Sequence, residues 1–350
     1  MVLDDIDAIH AVDRSGMLSF MERTPARMVP PADASSTCSN DFEKPLSVVL
    51  GGVGGSGIVG DVITDYARAV VDIPVSVCRT LRLPGFVGEQ TLFVAISYSG
   101  ETEETLGLLR QAKERRAMIM TITSGGRLLS QSKKERIPYL KIPAGLLPRV
   151  ALPELIAAAV FAMGTMGIFS DPSQLLSEAA KSLMIQVDRV KQSVPFSQNS
   201  AKQMAQALLD RLPLLIGNHE NESVLRRFKN ELNENSKVPA FYYTLPEAFH
   251  DDVEGLKALR QTARAQPIFL LSKEETQGQR RTREKLYSLL NELGFPAIRE
   301  FEGIGQDRLS GLLTAILFAD CASAYLAILR SEDPSVVTLI PKFREAMRGV

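Results

Sequence analysis

Two kinds of hydrophobic pattern alternate along the chain. Short runs that are apolar at nearly every position, LSVVLGG (46–52), IPVSVCR (73–79), LFVAIS (92–97), MIMTIT (118–123) and YLKIP (139–143), are separated mostly by amphipathic segments. Continuous apolar strands alternating with amphipathic helices predict a parallel sheet covered on both faces. The pattern then restarts with LPLLIGN (212–218), VPAFYYT (238–244), IFLLS (268–272) and PAIREF (296–301), followed by a long helix over 308–330. A mainly helical bridge carrying LPELIAAAVFAMG joins the two sets over about 151–210. The polar, proline-containing stretch PPADASSTCSND (30–41) offers turn residues and no periodicity, so it reads as a linker after a short helical start. The expected fold is α/β, with two tandem doubly wound parallel sheets. Its expected boundaries are a helical segment and linker over 1–43, a first domain over 44–165, a helical bridge over 166–205 and a second domain over 206–350.

Composition narrows the classes. A chain of 350 residues with 45% hydrophobic content can bury a large core, and its length suggests about two domains. A net charge of −1 gives no reason to expect a nucleic-acid or anionic-membrane partner. Cys38, Cys78 and Cys321 are far apart and lack metal-ligand spacing, which argues for small buried side chains in a reducing compartment. No apolar run is expected to reach the roughly 18 residues of a membrane span. Asp4, Asp5 and Asp7 do not suit a signal peptide. These features predict a cytoplasmic protein with neither nucleic acid nor membrane among its partners.

The first strand runs into GGVGGSGIVGD, where Gly52, Gly54 and Gly57 match the dinucleotide pattern G-x-G-x-x-G. Glycines at a strand-to-helix turn let backbone amides approach an anion, and the helix adds the positive end of its dipole. The loop therefore suits a phosphate, with a purely structural tight turn as the alternative. A nicotinamide-binding unit would carry Asp or Glu at the end of the second strand to hold a ribose. Here that end reads VCRTLRL, with Arg79 and no carboxylate, which disfavours a dinucleotide.

The third strand ends in ISYSGETEET (96–105), so Ser97, Ser99 and Thr102 fall at the carboxyl edge of the sheet, where open α/β folds bind ligands. Three small hydroxyls beside a helix start suit an anion cradle. The plainer alternative makes Ser99 a helix cap, with Glu101, Glu103 and Glu104 complementing the dipole. TSGGRL (123–128) adds Ser124, two glycines and Arg127 on the same edge.

Together, GGVGGSGIVGD, SYSGETEETL, TSGGRL, PRVALPEL and NELNENSKVPAFYYTLPEAFHDD occur in the order and spacing of the bifunctional phosphoglucose/phosphomannose isomerases. The opening DDIDAIHAVDRSGM is also similar to that family's start, so the resemblance covers nearly the whole chain. It implies two flavodoxin-like sugar isomerase (SIS) domains, a phosphorylated hexose substrate, no cofactor, no metal and a homodimer. Residue by residue, it implies a phosphate cradle from Gly55, Ser56, Ser97, Ser99 and Thr102, and an arginine beside the sugar at Arg149. Glu234 matches the base, and His250 matches a histidine reaching in from the partner subunit. Lys342 matches a lysine, with Arg344 as a nearby rival, and Ser335 stands where the family usually has threonine. Phe249 and Asp251 replace the asparagines that flank the family histidine.

The chemistry agrees with such an aldose–ketose isomerase. Moving a carbonyl between carbon 1 and carbon 2 through a cis-enediol(ate) needs one base that takes a proton from carbon 2 and returns it to carbon 1. Val224, Phe228 and Leu232 form one helical stripe, which predicts that Glu234 faces away from it, with Glu231 on nearly the same side as the rival. Only His10, His219 and His250 could supply an imidazole for ring opening. A fixed cation such as Arg149 suits the enediolate charge. A non-catalytic phosphosugar-binding regulatory protein is the second reading, and a nicotinamide dehydrogenase the third.

Overall fold

The computed structural model describes residues 2–31 and 44–348. Most of the expected linker (30–41), together with Cys38, lies outside them. The chain divides into two compact units: one takes residues 23–184 and 305–313, the other 1–22, 185–304 and 314–350.

The first of these units is built on five strands: β1 (Ser47–Gly51), β2 (Val75–Cys78), β3 (Thr91–Ile96), β4 (Met118–Thr123) and β5 (Tyr139–Lys141). They are all parallel, in the order β2-β1-β3-β4-β5. Every residue of β3 is buried, which explains the apolar run from Leu92 to Ile96. Strand order reverses between β1 and β3, so the loops after them diverge and open a crevice at the carboxyl edge. The other unit repeats the arrangement with β6 (Leu212–Asn218), β7 (Phe241–Leu245), β8 (Ala265–Leu271) and β9 (Arg299–Glu302), in the parallel order β7-β6-β8-β9.

The helices that matter below, in chain order, are α1 (Ile6–Val12), α2 (Met17–Glu22), α3 (Gly55–Val70), α4 (Glu103–Glu114), α5 (Gly126–Glu135), α6 (Leu152–Thr165), α7 (Pro172–Val190), α8 (Ser200–Leu208), α9 (Glu222–Glu234), α10 (Leu256–Thr262), α11 (Gln277–Glu292), α12 (Arg308–Leu329) and α13 (Leu339–Arg348). Val49, Phe93, Leu108 and Leu109 belong to the core of the first sheet, and Ile216, Phe269, Leu286 and Leu290 to that of the second.

Some expectations need correction. Strands β7 and β9 each begin three residues after the start of the runs that predict them. Strand β8 begins three residues before the apolar run that predicts it, because Gln266 and Pro267 look like a turn in sequence. The buried Gln266 amide instead donates to the carbonyls of Pro267 and Ala297, at 3.1 and 2.8 Å. The expectation that no apolar run reaches membrane-spanning length also fails. Helix α12, with 22 residues, is long and apolar enough, but 94% of its most apolar window is buried inside the molecule, as in a core helix. Cys78 and Cys321 are free and buried, as expected of small apolar side chains.

Candidate functional site

At the first sheet's edge, β1 and β3 end side by side, with Gly51 opposite Ala95. Gly52 then passes so close to β3 that a Cβ there would lie 2.9 Å from the Ile96 carbonyl oxygen. This crowding, rather than a dinucleotide, accounts for the first glycine of the pattern. Arg79, at the end of β2, donates to the Gly57 carbonyl at 3.0 Å and pairs with Asp61 of α3. The residue standing where a ribose-binding carboxylate would be is thus committed to holding the glycine loop.

The hydroxyls predicted from sequence come together around the loop after β3. Ser97 is buried, and its Oγ lies 2.8 Å from Thr102 Oγ1 while accepting from the Gly100 amide at 3.1 Å. Ser56, near the start of α3, accepts from the Tyr98 amide at 3.4 Å, which brings the glycine loop into the same cluster. Ser99 is exposed, and its Oγ accepts from the Glu101 amide at 3.2 Å. The helix-cap reading of Ser99 is therefore wrong. The capping position of α4 belongs to Thr102, whose side chain makes no capping bond and turns to Ser97 instead. Among the described residues no side chain caps the first amides of α4, which keeps the dipole end available to an anion. Gly100 has φ +67°, and a Cβ there would fall 1.9 Å from the Gly125 carbonyl oxygen, so only glycine fits. Arg127, on the same edge, is tied to Glu101 at 2.7 Å and Glu103 at 2.5 Å.

Arg149 is half-buried in the loop before α6. That loop is drawn to the cradle by two neighbours. The carbonyl of Pro148 is 3.6 Å from where a Cβ of Gly55 would stand, and the Tyr98 hydroxyl accepts from the Leu146 amide at 2.7 Å. Arg27 braces it from the other side, with Nε and Nη2 each 2.6 Å from the buried Glu154 carboxylate and a further bond to the Val150 carbonyl. Sequence reasoning missed Tyr98, Arg27 and Glu154 as supports. Tyr98, between two cradle serines, had a local signal, whereas Arg27 lies 127 positions from its partner and had none.

In the other unit, Glu234 is the last residue of α9 and is partly exposed. Val224, Phe228 and Leu232 are buried, as the stripe predicts. Glu231 does not behave as a surface rival. It is 1% exposed and ion-paired to Arg227 Nη1 at 2.8 Å, and Arg227 in turn grips Asp320 of α12 with Nε and Nη2 at 2.8 and 2.9 Å. Burial alone lowers the Arg227 pKa, but Asp320 and Glu231 more than reverse this and push it up. The Lys237 ammonium donates to the carbonyls of Glu234, Asn235 and Asp333, each at 3.0 Å, and so satisfies the end of α9.

His250 follows a short 3-10 turn (Glu247–Phe249), donates its amide to the Glu247 carbonyl at 2.8 Å, and is exposed. Asp251 beside it accepts from the Asp252 amide at 2.6 Å. The Ser335 hydroxyl donates to Asp333 at 2.6 Å and is partly buried. Lys342 and Arg344 are both exposed on α13. The second sheet's equivalent of the cradle differs in kind. After β8 the chain presents Glu275, 4% exposed and 2.8 Å from Arg283, followed by Thr276, which caps α11 with a reciprocal Gln279 bond. A capped helix start and a carboxylate already paired to Arg283 set this edge apart from the hydroxyl-lined one.

Comparison with known proteins bears on both units. The family model for the bacterial phospho-glucose isomerase C-terminal SIS domain matches residues 197–347, and that for the SIS domain matches residues 42–139. A bifunctional phosphoglucose/phosphomannose isomerase from Caldicellulosiruptor bescii is 32% identical over 86% of this chain and 88% of its own. A D-glucosamine-6-phosphate 4-epimerase from Sulfolobus acidocaldarius is 29% identical over 84% of this chain and 87% of its own. Among solved structures, a glucose-6-phosphate isomerase like protein from Thermus thermophilus aligns with a TM-score of 0.63 at 18% identity, over 98% of each chain. The likeness to the first of these relatives runs through both sheets and the helices between them, and the chain belongs to the bifunctional phosphoglucose/phosphomannose isomerase family.

Proposed function

We propose that this protein interconverts glucose 6-phosphate and mannose 6-phosphate with fructose 6-phosphate through a cis-enediol(ate). The observation that carries the reading is the hydroxyl cluster of Ser56, Ser97 and Thr102 beside an uncapped helix start, in a chain of this family. Hydroxyls and backbone amides at such an edge suit a phosphate dianion, which accepts charge-assisted hydrogen bonds. In this proposal Gly55, Ser56, Ser97, Ser99 and Thr102 hold the phosphate and leave the sugar's carbonyl end to the reacting groups.

His250 and Lys342 assist opening of the hexose ring, since the closed hemiacetal has no acidic carbon proton and proton transfer to the ring oxygen must come first. Glu234 then takes the proton from carbon 2 and returns it to carbon 1, one carboxylate serving both steps. Arg149 stabilises the negative charge on the enediolate oxygen. Ser335 helps admit both epimers at carbon 2. The reaction is internally redox-neutral, so it calls for no external electron carrier. His250 is exposed, which suits a group supplied to the neighbouring subunit of a homodimer.

A coupled assay for fructose 6-phosphate, run on each aldose phosphate with and without EDTA, tests the reading. Formation from both substrates is expected. Binding without turnover would point instead to a phosphosugar-sensing protein, and change at carbon 4 of glucosamine 6-phosphate to the chemistry named for the Sulfolobus relative. The dimer is tested by mixing Glu234→Gln and His250→Ala under conditions of subunit exchange. Random pairing makes about half of the dimers mixed with one intact site in two, so roughly a quarter of wild-type activity should return. No recovery after exchange verified by mass would remove His250 from the partner's site.

A further inference from the structure

We propose that Arg227 is a positioning residue for the proton transfer, anchoring the end of α9 that carries Glu234 to α12 through a buried charge relay. The inference rests on Glu234 being the base. A helix's last residue is where helices fray, and a carboxylate there meets the unfavourable end of the dipole. Something outside the helix must therefore fix it if a proton is to move between two adjacent carbons with little displacement.

Arg227 lies about two turns before Glu234. Its guanidinium is 2% exposed and grips Asp320 with two parallel bonds of 2.8 and 2.9 Å, across 93 positions of sequence. Its remaining nitrogen holds Glu231 Oε1 at 2.8 Å. The other oxygen of Glu231 accepts from Asn235 Nδ2 at 2.9 Å, and that amide also reaches Ser323 Oγ of α12 at 2.9 Å. Glu234 is thus bracketed by two residues, Glu231 and Asn235, that are both locked to α12. A bidentate arginine fork fixes orientation as well as distance, which a point charge does not.

Stability is a weak reason for such a cluster. Buried ion triads can be replaced by well-packed apolar residues without loss of folding, because the charges' desolvation offsets much of their attraction. One cation against two carboxylates is a costly way to glue two helices together. It is an effective way to hold one helix end in one register.

The test uses the full-length protein. Arg227→Lys keeps the charge but loses the fork, and the triple variant Arg227→Met, Glu231→Met, Asp320→Leu removes the cation and both carboxylates of this cluster at once. Both are compared with wild type and with Glu234→Gln for circular dichroism, KM and kcat on fructose 6-phosphate. The expected result is a folded protein whose kcat falls by about 10- to 100-fold, with KM within about 3-fold, as a misplacement of roughly 1 Å would produce. Arg227→Lys should fall between the triple variant and wild type. A folded variant with wild-type kcat, or a loss confined to KM, overturns the positioning role. If the triple variant does not fold, Arg227→Lys alone decides by the same criteria. Should Glu234→Gln itself keep full turnover, the base assignment fails first, and the positioning role with it.

Discussion

In the proposed phosphate cradle, Ser99 and Thr102 stand differently from Ser97. Ser97 is buried under the loop and shapes it, whereas Ser99 is exposed and Thr102 partly so. Replacing Ser99 and Thr102 by alanine should therefore weaken phosphosugar binding while leaving the fold intact. Each lost hydrogen bond to a phosphate should cost about 1.5–3 kcal/mol, roughly 10- to 150-fold in affinity. Direct titration with glucose 6-phosphate measures this, and unchanged affinity would remove these hydroxyls from the phosphate site. The three hydroxyls were legible in sequence because strand, glycine and helix start fall within ten residues. Glu231 was not. The helical spacing puts it on nearly the same side as Glu234, as a rival base, and only Asp320, far along the chain, reveals that it is buried around a shared cation.

Among elements, strands were easier to read than the polar ties between helices. Parallel strands buried on both faces announce themselves as unbroken apolar runs, so β4 and β6 lie where the sequence predicts them. Helix α12 hid its role for the same reason, since a core helix and a membrane span share one composition. Asp13, which closes α1, shows what patterning does not convey. It is 3% exposed and accepts the amides of Met17 and Leu18 at the start of α2, at 2.8 and 2.9 Å. Burial raises its pKa above the ordinary 3.8, against the pull of those two amides. The folded state therefore holds this proton more tightly than the unfolded chain. That contribution to stability is fully present below the unfolded value and is lost as pH rises through the raised folded value. Urea unfolding of wild type and Asp13→Asn from pH 4 to pH 7 checks the sign. The wild type's advantage over the variant should shrink as pH rises, and a constant or growing advantage would contradict it.

Across the whole chain, two sheets whose first four strands follow the same order carry unlike edges. One gathers hydroxyls and a helix start that Thr102 does not cap, and the other holds an ion-paired Glu275, its side chain 4% exposed, before a capped helix. Repetition of architecture is visible in the sequence, but this difference between the edges is not, because it depends on which side chains each edge already satisfies. In the proposed mechanism a single carboxylate moves hydrogen between carbon 2 and carbon 1. The most direct test is the fate of deuterium when glucose 6-phosphate labelled at carbon 2 is converted in ordinary water and the product is read by NMR. The result expected of this mechanism is fructose 6-phosphate with part of the label at carbon 1 and part lost to solvent, because a base-held deuteron can exchange before it is returned. Glu234→Gln should abolish both. Complete retention of the label, as in a direct hydride shift, or unchanged conversion by Glu234→Gln, would contradict it.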